Sequence, residues 1–316
     1  MFKKLVRVIS DLNILTVYMK CMQIWKAELL HQTGLILGEG AIWHNGWKKF
    51  LFVDIEGMMV GAIDPVTKAI ESRKLDKRIG TVVPATNGNL IVALQGSVEE
   101  LEFKTGKIKK VLDIESDKPM NRCNDGKCDA AGRLWIGTMH IDANLHEGAL
   151  YCYDGSFTKV IENRSVSNGI GWSDDNHTMY YIDSFDYDVK AYDFDLATRN
   201  ISGERVAVRI EEPGCMPDGM TVDKDGMIWV AMWGGACVNR YDPHNGKLIG
   251  KVMVDAPHVT SCAFGGDNMQ TLFITTAKQW LSKSQLNQHP LSGSLFTVET
   301  DIKGAGAHFF KNDQVL

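Results

Sequence analysis

Short hydrophobic runs recur along the chain, each entered through a turn rich in Gly, Asn or Asp. They are NGWKKFLFVD (45–54), TNGNLIVAL (86–94), AAGRLWIGTM (130–139), DDNHTMYYID (174–183), KDGMIWVAM (224–232) and DNMQTLFITT (267–276). Val, Ile, Tyr and Phe suit strands, and the turn residues supply the backbone geometry of hairpins. Each run continues into a second alternating strand with a marked turn, as in GAIDPVTKAI, LEFKTGKIKKV and VNRYDPHNGKLI. Each is also preceded by a shorter apolar segment: GAIWH, TVVPA, GKCDA, GIGWS, GMTVD and SCAFG.

Val53, Val92, Ile136, Tyr181, Val230 and Ile274 hold equivalent places, spaced by 39, 44, 45, 49 and 44 residues. That period is one four-stranded propeller blade. The pattern therefore predicts an all-β fold, a six-bladed β-propeller around a central channel. The Gly-His and Trp-Asp marks of a WD40 array are missing. A ring of blades must close or leave an open sheet edge. MQIWKAELL (22–30) and AHFFKNDQVL (307–316) lie outside the repeats, and one or both are expected to complete the outer part of the last blade. Residues 22–316 then form a single domain.

Residues 1–21 differ from the rest. Their basic start and apolar middle invite a signal-peptide reading, but Asp11 and Asn13 interrupt the apolar run, Lys20 follows it, and no small-residue cleavage site appears. The run is too short to span a bilayer. The expectation is a loosely held N-terminal extension, or a start placed too early with Met22 the true beginning.

Composition narrows the function. With 34 basic and 39 acidic residues the net charge is −5, and no long basic run occurs, which argues against a nucleic-acid or anionic-membrane partner. Seven cysteines at irregular spacing do not form a disulfide framework; free thiols point to a reducing, cytoplasmic setting.

The first strand of each propeller blade lines the channel, so the residues that begin those strands crowd one mouth. Twelve to fourteen residues before each equivalent position stand Glu39, Gly80, Asn124, Asn168, Asp218 and the pair Ser261-Cys262. One Asp or Asn there reads as a turn cap; four oxygen-bearing side chains at equivalent places read as a pocket. Isolated buried carboxylates are costly unless paired or coordinated. Glu39 and Asp218 with Asn amides therefore suit one hard divalent cation at the channel mouth, Ca2+ or Mg2+ first, with Zn2+ and Mn2+ also compatible.

The strings GEGAIW, NRCNDGKCDAAGRLWIGTM, SNGIGWSDDNHTMYYIDS, PDGMTVDKDGMIWVAMWGG and TSCAFGG resemble the gluconolactonase/regucalcin/luciferin-regenerating-enzyme family, in register from Leu37 to at least Thr276. The resemblance implies a six-bladed propeller with one divalent metal, many of whose members hydrolyse sugar lactones. It places the metal ligands on Glu39, Asn168 and Asp218, and substrate contacts on Arg122 and Asn124. A further acidic contact falls on Asp142, where regucalcin-like members carry Glu, one methylene longer.

The expected activity is metal-dependent opening of a sugar lactone. The metal would polarise the carbonyl and acidify a water. Asp218 is the candidate general base, and Arg122 the candidate holder of a hydroxyl or of developing negative charge. Two alternatives keep the same residues: hydrolysis of an aryl ester or organophosphate, and a non-enzymatic, calcium-binding, regucalcin-like role. Arg122 and Asn124 are two apart, so on an extended segment they point one way while Cys123 and Asp125 point the other. Other features read as structural. No HExxH pattern exists, and Cys123 and Cys128 lack the second pair a zinc site needs. Trp43, Trp135, Trp172 and Trp229 read as core, and Asp183 as a support behind the site.

Overall fold

A computed structural model describes residues 22–311; the proposed extension at 1–21 lies outside the described residues. Among the described residues the chain is built of strands, with one short helix, Lys283–Gln288, and a 3-10 turn at Ser184–Asp186. No helix among the described residues is long and apolar enough to cross a membrane. Six innermost strands, Gly38–His44, Ile79–Pro84, Asn121–Cys128, Ser167–Trp172, Met216–Val222 and His258–Gly265, pack each against the next and the last against the first. Successive antiparallel strands run outward from each, the geometry of an all-β, propeller-like fold.

The hydrogen bonding divides these strands into five sheets rather than six. The first four innermost strands each head a four-stranded sheet, and the remaining strands form one nine-stranded sheet. The fusion rests on one residue pair, Trp233 opposite His258, which links Ile228–Trp233 to His258–Gly265.

Closure follows the sequence expectation in one half. Glu28–His31 pairs with Leu295–Glu299 and completes the outer edge of the last sheet. The preceding strand, Gln23–Lys26, instead runs parallel to Lys247–Met253, with Trp25 against Trp229 at 5.3 Å. One continuous segment thus ties two outer edges together. The C-terminal run joins no sheet: Gly304 bridges Asp223, Phe310 bridges Ala85, and the Lys311 N–H donates to the Gly132 carbonyl at 3.1 Å. Residues 305–308 line a cavity with Trp43, Lys127, Trp172 and Phe264, so this run straps the end of the channel opposite Glu39 and Asp218.

Cores form where the apolar faces of neighbouring sheets meet, and there the burial of large side chains supplies the main stabilisation. Trp135 and Trp229 are fully buried, their indole N–H groups donating to Asp129 and Asp223 at 2.9 Å. Trp43 and Trp172 are buried as well. All four tryptophans therefore serve as packing.

Each innermost strand slips register at its head, between Glu39 and Ile42, Ile79 and Thr81, Cys123 and Gly126, Ser167 and Ile170, Pro217 and Met220, and Val259 and Ser261. Such bulges bend a strand and re-aim its side chains. They also bring backbones together: a Cβ on Gly169 would lie 2.6 Å from the Asp218 carbonyl oxygen. Gly169→Ala is accordingly expected to destabilise the fold by about 1–3 kcal/mol, as measured by denaturant unfolding. A variant with unchanged stability would show that the close approach is not needed.

Candidate functional site

At the mouth where the innermost strands begin, a cavity of about 170 Å3 is lined by Glu39, Asn168 and Asp218 from three strands and by Arg122 and Asn124 from a fourth. All five side chains are buried. The structure thus brings together every expected site residue except Asp142.

Asn168 shows most directly what the cavity is built to hold. Its Nδ2 donates to Ser184 Oγ at 3.0 Å and to Asp218 Oδ1. Its Oδ1 is buried with no partner, an arrangement that costs free energy in an empty cavity. Burial, then the neighbouring Asp218 and Asp125, push the Glu39 carboxyl well above the ordinary carboxylate range. Burial also raises Asp218, against the hydrogen bond from Asn168. An orphaned carboxamide oxygen beside two buried, mutually repelling carboxylates fits a hard cation. Among the described residues no three His, Cys, Asp or Glu side chains gather into a metal cluster; the donors here are two carboxylates and one carboxamide.

Arg122 and Asn124 act as one unit. Arg122 Nη1 donates to Asn124 Oδ1 at 2.6 Å and to the Cys123 carbonyl at 3.0 Å, while Asn124 Nδ2 donates to the Ser167 carbonyl at 2.8 Å. Burial pulls the guanidinium below its usual range, opposed by Glu56 and Glu39. The expected alternation breaks at Asp125. The register slip between Cys123 and Gly126 leaves its carboxylate buried and in electrostatic contact with Glu39 and Asp218, with Oδ2 unpartnered. Glu56, which pattern reading passed over, also lines the cavity and is clamped by Arg78 Nε at 2.9 and 3.0 Å.

Two further aspartates hold the strands of Asn168 and Glu39 in place. Asp183 accepts from the Ser165, Val166 and Phe185 N–H groups at 2.7, 2.9 and 3.3 Å, anchoring both the entry to Asn168 and the turn that carries Ser184. Its position agrees with the expected support behind the site. Asp54 does the same for Glu39, accepting from the Ile36, Leu37 and Gly57 N–H groups at 3.0, 3.0 and 2.9 Å. The signal for Asp54 was present in the repeats: FVD and YID end the second strand of their units alike.

Asp142 is exposed and absent from the lining, whereas Ile141 and Ala143 on either side of it belong to the wall. The chain turns there, with the Asp142 N–H donating to His140 Nδ1 at 3.1 Å and Ala143 at φ 54°, which sends the carboxylate outward. Apart from Ser184 and Gln279, the rest of the wall is apolar and includes Met139, Phe185, Met216, Trp233 and Trp280.

The sequence matches the family description SMP-30/Gluconolactonase/LRE-like region over residues 37–278. Regucalcin of Gallus gallus is 34% identical over 280 residues, covering 86% of this chain and 94% of that protein. A Bacillus subtilis (strain 168) protein provisionally named sugar lactone lactonase YvrE is 32% identical over 280 residues, covering 88% and 96%. The crystal structure of a calcium-binding regucalcin from Agrobacterium tumefaciens superposes with a TM-score of 0.87 at 25% identity, covering 91% of this chain and 99% of that one.

The raised carboxyls set a pH dependence. Because burial raises both carboxyls, the native pair of Glu39 and Asp218 retains protons more strongly than the unfolded chain does. The stability of the metal-free protein is therefore greatest within the ordinary carboxylate range and falls as pH rises from there toward the raised native values. A cation bound there would displace those protons, and its affinity would then rise across the same window. Chelator-treated protein should melt at progressively lower temperature from about pH 5 to about pH 8, with the Ca2+-induced gain in melting temperature growing in parallel. A metal-free melting temperature independent of pH would contradict this linkage.

Proposed function

The chain belongs to the SMP-30/gluconolactonase/LRE-like family, and from that premise we propose that it is a metal-dependent hydrolase that opens sugar lactones. The observation that carries the reading is the unpartnered Asn168 Oδ1 beside two buried carboxylates, with the Arg122–Asn124 unit on the same cavity. We read the architecture as a single six-bladed propeller. The nine-stranded sheet counts as two blades, because only the Trp233–His258 pair joins its halves.

Glu39, Asn168 and Asp218 would hold the cation, with Ca2+ favoured by an all-oxygen donor set. A divalent cation bound there supplies Lewis acidity to a lactone carbonyl and acidifies a water. Asp218 accepts the proton of the attacking water; its hydrogen bond from Asn168 Nδ2 fixes the carboxylate for that transfer. Both described hydrogen bonds of Arg122 leave from Nη1, so its other N–H groups serve substrate hydroxyls or the charge that grows on the carbonyl oxygen. Asn124 holds the guanidinium in place, its own amide anchored to the Ser167 carbonyl. A polyhydroxylated substrate accounts for this buried polar wall better than a wholly apolar ester does. Asp142 stands outside the proposed contacts. The described cysteines are all unpaired, which supports a cytoplasmic setting.

Chelator treatment should abolish hydrolysis of aldonolactones, and a divalent ion should restore it; full turnover after complete metal removal would overturn the mechanism. Asp218→Asn should lower kcat by about 100-fold or more. Arg122→Ala should raise KM roughly tenfold, from lost charge-assisted hydrogen bonds. Steady-state kinetics on a lactone panel measures both.

A further inference from the structure

The wall of the mouth carries an aromatic surface that neither cation binding nor sugar-hydroxyl recognition uses. Trp233 stacks on His258 with ring centres 3.9 Å apart and planes at 16°, and Trp280 meets Trp233 edge-on at 5.4 Å and 68°. Burial holds His258 below the usual imidazole range. Trp280 lines the cavity, yet 70% of it is open to solvent.

Its backbone is equally unusual. Trp280 sits at φ 64°, in the left-handed region where a bulky side chain is strained. The chain on either side is pinned: the Gln279 N–H donates to the Ile36 carbonyl at 2.9 Å, the Gln279 carbonyl pairs with His258 Nδ1 at 3.1 Å, and the Leu281 N–H donates to the Lys278 carbonyl at 3.2 Å. A strained backbone, fixed on both sides, therefore holds a large indole at a cavity rim without burying it. Packing gives no reason for that arrangement; contact with a ligand does.

The opposite wall indicates which part of a ligand lies here. The strand bearing Arg122 and Asn124 and the strand beginning at His258 stand three places apart in the ring of six, hence across the channel from each other. Met216 stands opposite Trp233 on the neighbouring strand, whereas Met139 stands opposite Arg122. The buried hydrogen-bond donors of Arg122 and Asn124 thus lie on one side of the mouth and the paired indoles on the other.

We propose that Trp280, backed by Trp233, forms an aromatic subsite that selects lactones carrying a planar apolar ring next to the ester. The inference rests on the lactonase reading and extends it to the substrate's other face: polar groups toward Arg122, ring toward Trp280. Trp280 is thus a specificity-determining residue rather than a catalytic one.

The test compares dihydrocoumarin, an aromatic lactone, with gluconolactone in the metal-loaded full-length protein. Trp280→Ala should lower the ratio of kcat/KM for dihydrocoumarin over gluconolactone about tenfold, equivalent to about 1.4 kcal/mol. The loss should appear mainly in KM, and Trp280→Phe should restore the ratio to within about threefold of the wild type. An unchanged ratio in Trp280→Ala overturns the subsite. Calorimetric binding of dihydroquinolinone, the hydrolysis-resistant lactam analogue, keeps the subsite testable without turnover. Should wild-type protein hydrolyse no lactone, the proposed function fails, and the subsite is then judged by binding alone. About fivefold weaker binding to Trp280→Ala supports it, while equal affinity, or no binding to either protein, overturns it.

Discussion

The register slip at the head of every innermost strand is the constraint on which the rest of the molecule depends. A regular strand sends successive side chains to opposite faces, and six such strands around an axis would point few polar groups at the mouth. The bulges place two residues against one and turn the head residues toward the channel. Glu39, Asn124, Asn168 and Asp218 converge for that reason. The approach of neighbouring backbones around Gly169 follows from the same crowding.

Convergence carries an electrostatic cost that shapes the site. Glu39 and Asp218 are buried together, with Asp125 adding to the repulsion, and no basic side chain forms an ion pair with either carboxylate among the described residues. Protons relieve this at low pH and a bound cation would relieve it above. The protein holds the arrangement against its own repulsion by anchoring the strands. Asp54 and Asp183 each bind three backbone N–H groups, beside the strands of Glu39 and Asn168 respectively, and Ser184 takes one hydrogen of the Asn168 amide. The site is built as much from these hydrogen bonds to backbone as from the residues that face the cavity.

The two sides of the mouth divide the work of recognition. Arg122, tied to Asn124, presents buried donors suited to oxygen-rich groups, and the Trp233–Trp280 side presents apolar faces. At the other end, the C-terminal run straps the channel across three sheets.

Local pattern by itself determined the strands, their repeat and the residues at the strand heads, because alternation and turn chemistry act over a few residues and recur with the repeat. It also singled out Glu39, Asn124, Asn168 and Asp218, the family resemblance added Arg122, and the fold brings all five to one cavity. Only the tertiary structure decided the rest. Asp142 faces solvent because a turn at His140 and Ala143 redirects a single side chain, which strand spacing does not record. Asp125 joins the buried carboxylates because a bulge overrides the alternation that two-residue spacing assumes. Five sheets stand where six were expected because one backbone pair, Trp233 with His258, forms between segments with no shared motif. Trp280 becomes a wall of the cavity because its neighbour Gln279 is tied to Ile36 and His258 and its own ring meets Trp233, all distant in sequence. Each of these outcomes rests on backbone geometry or long-range contact, and a periodic pattern of residue types specifies neither.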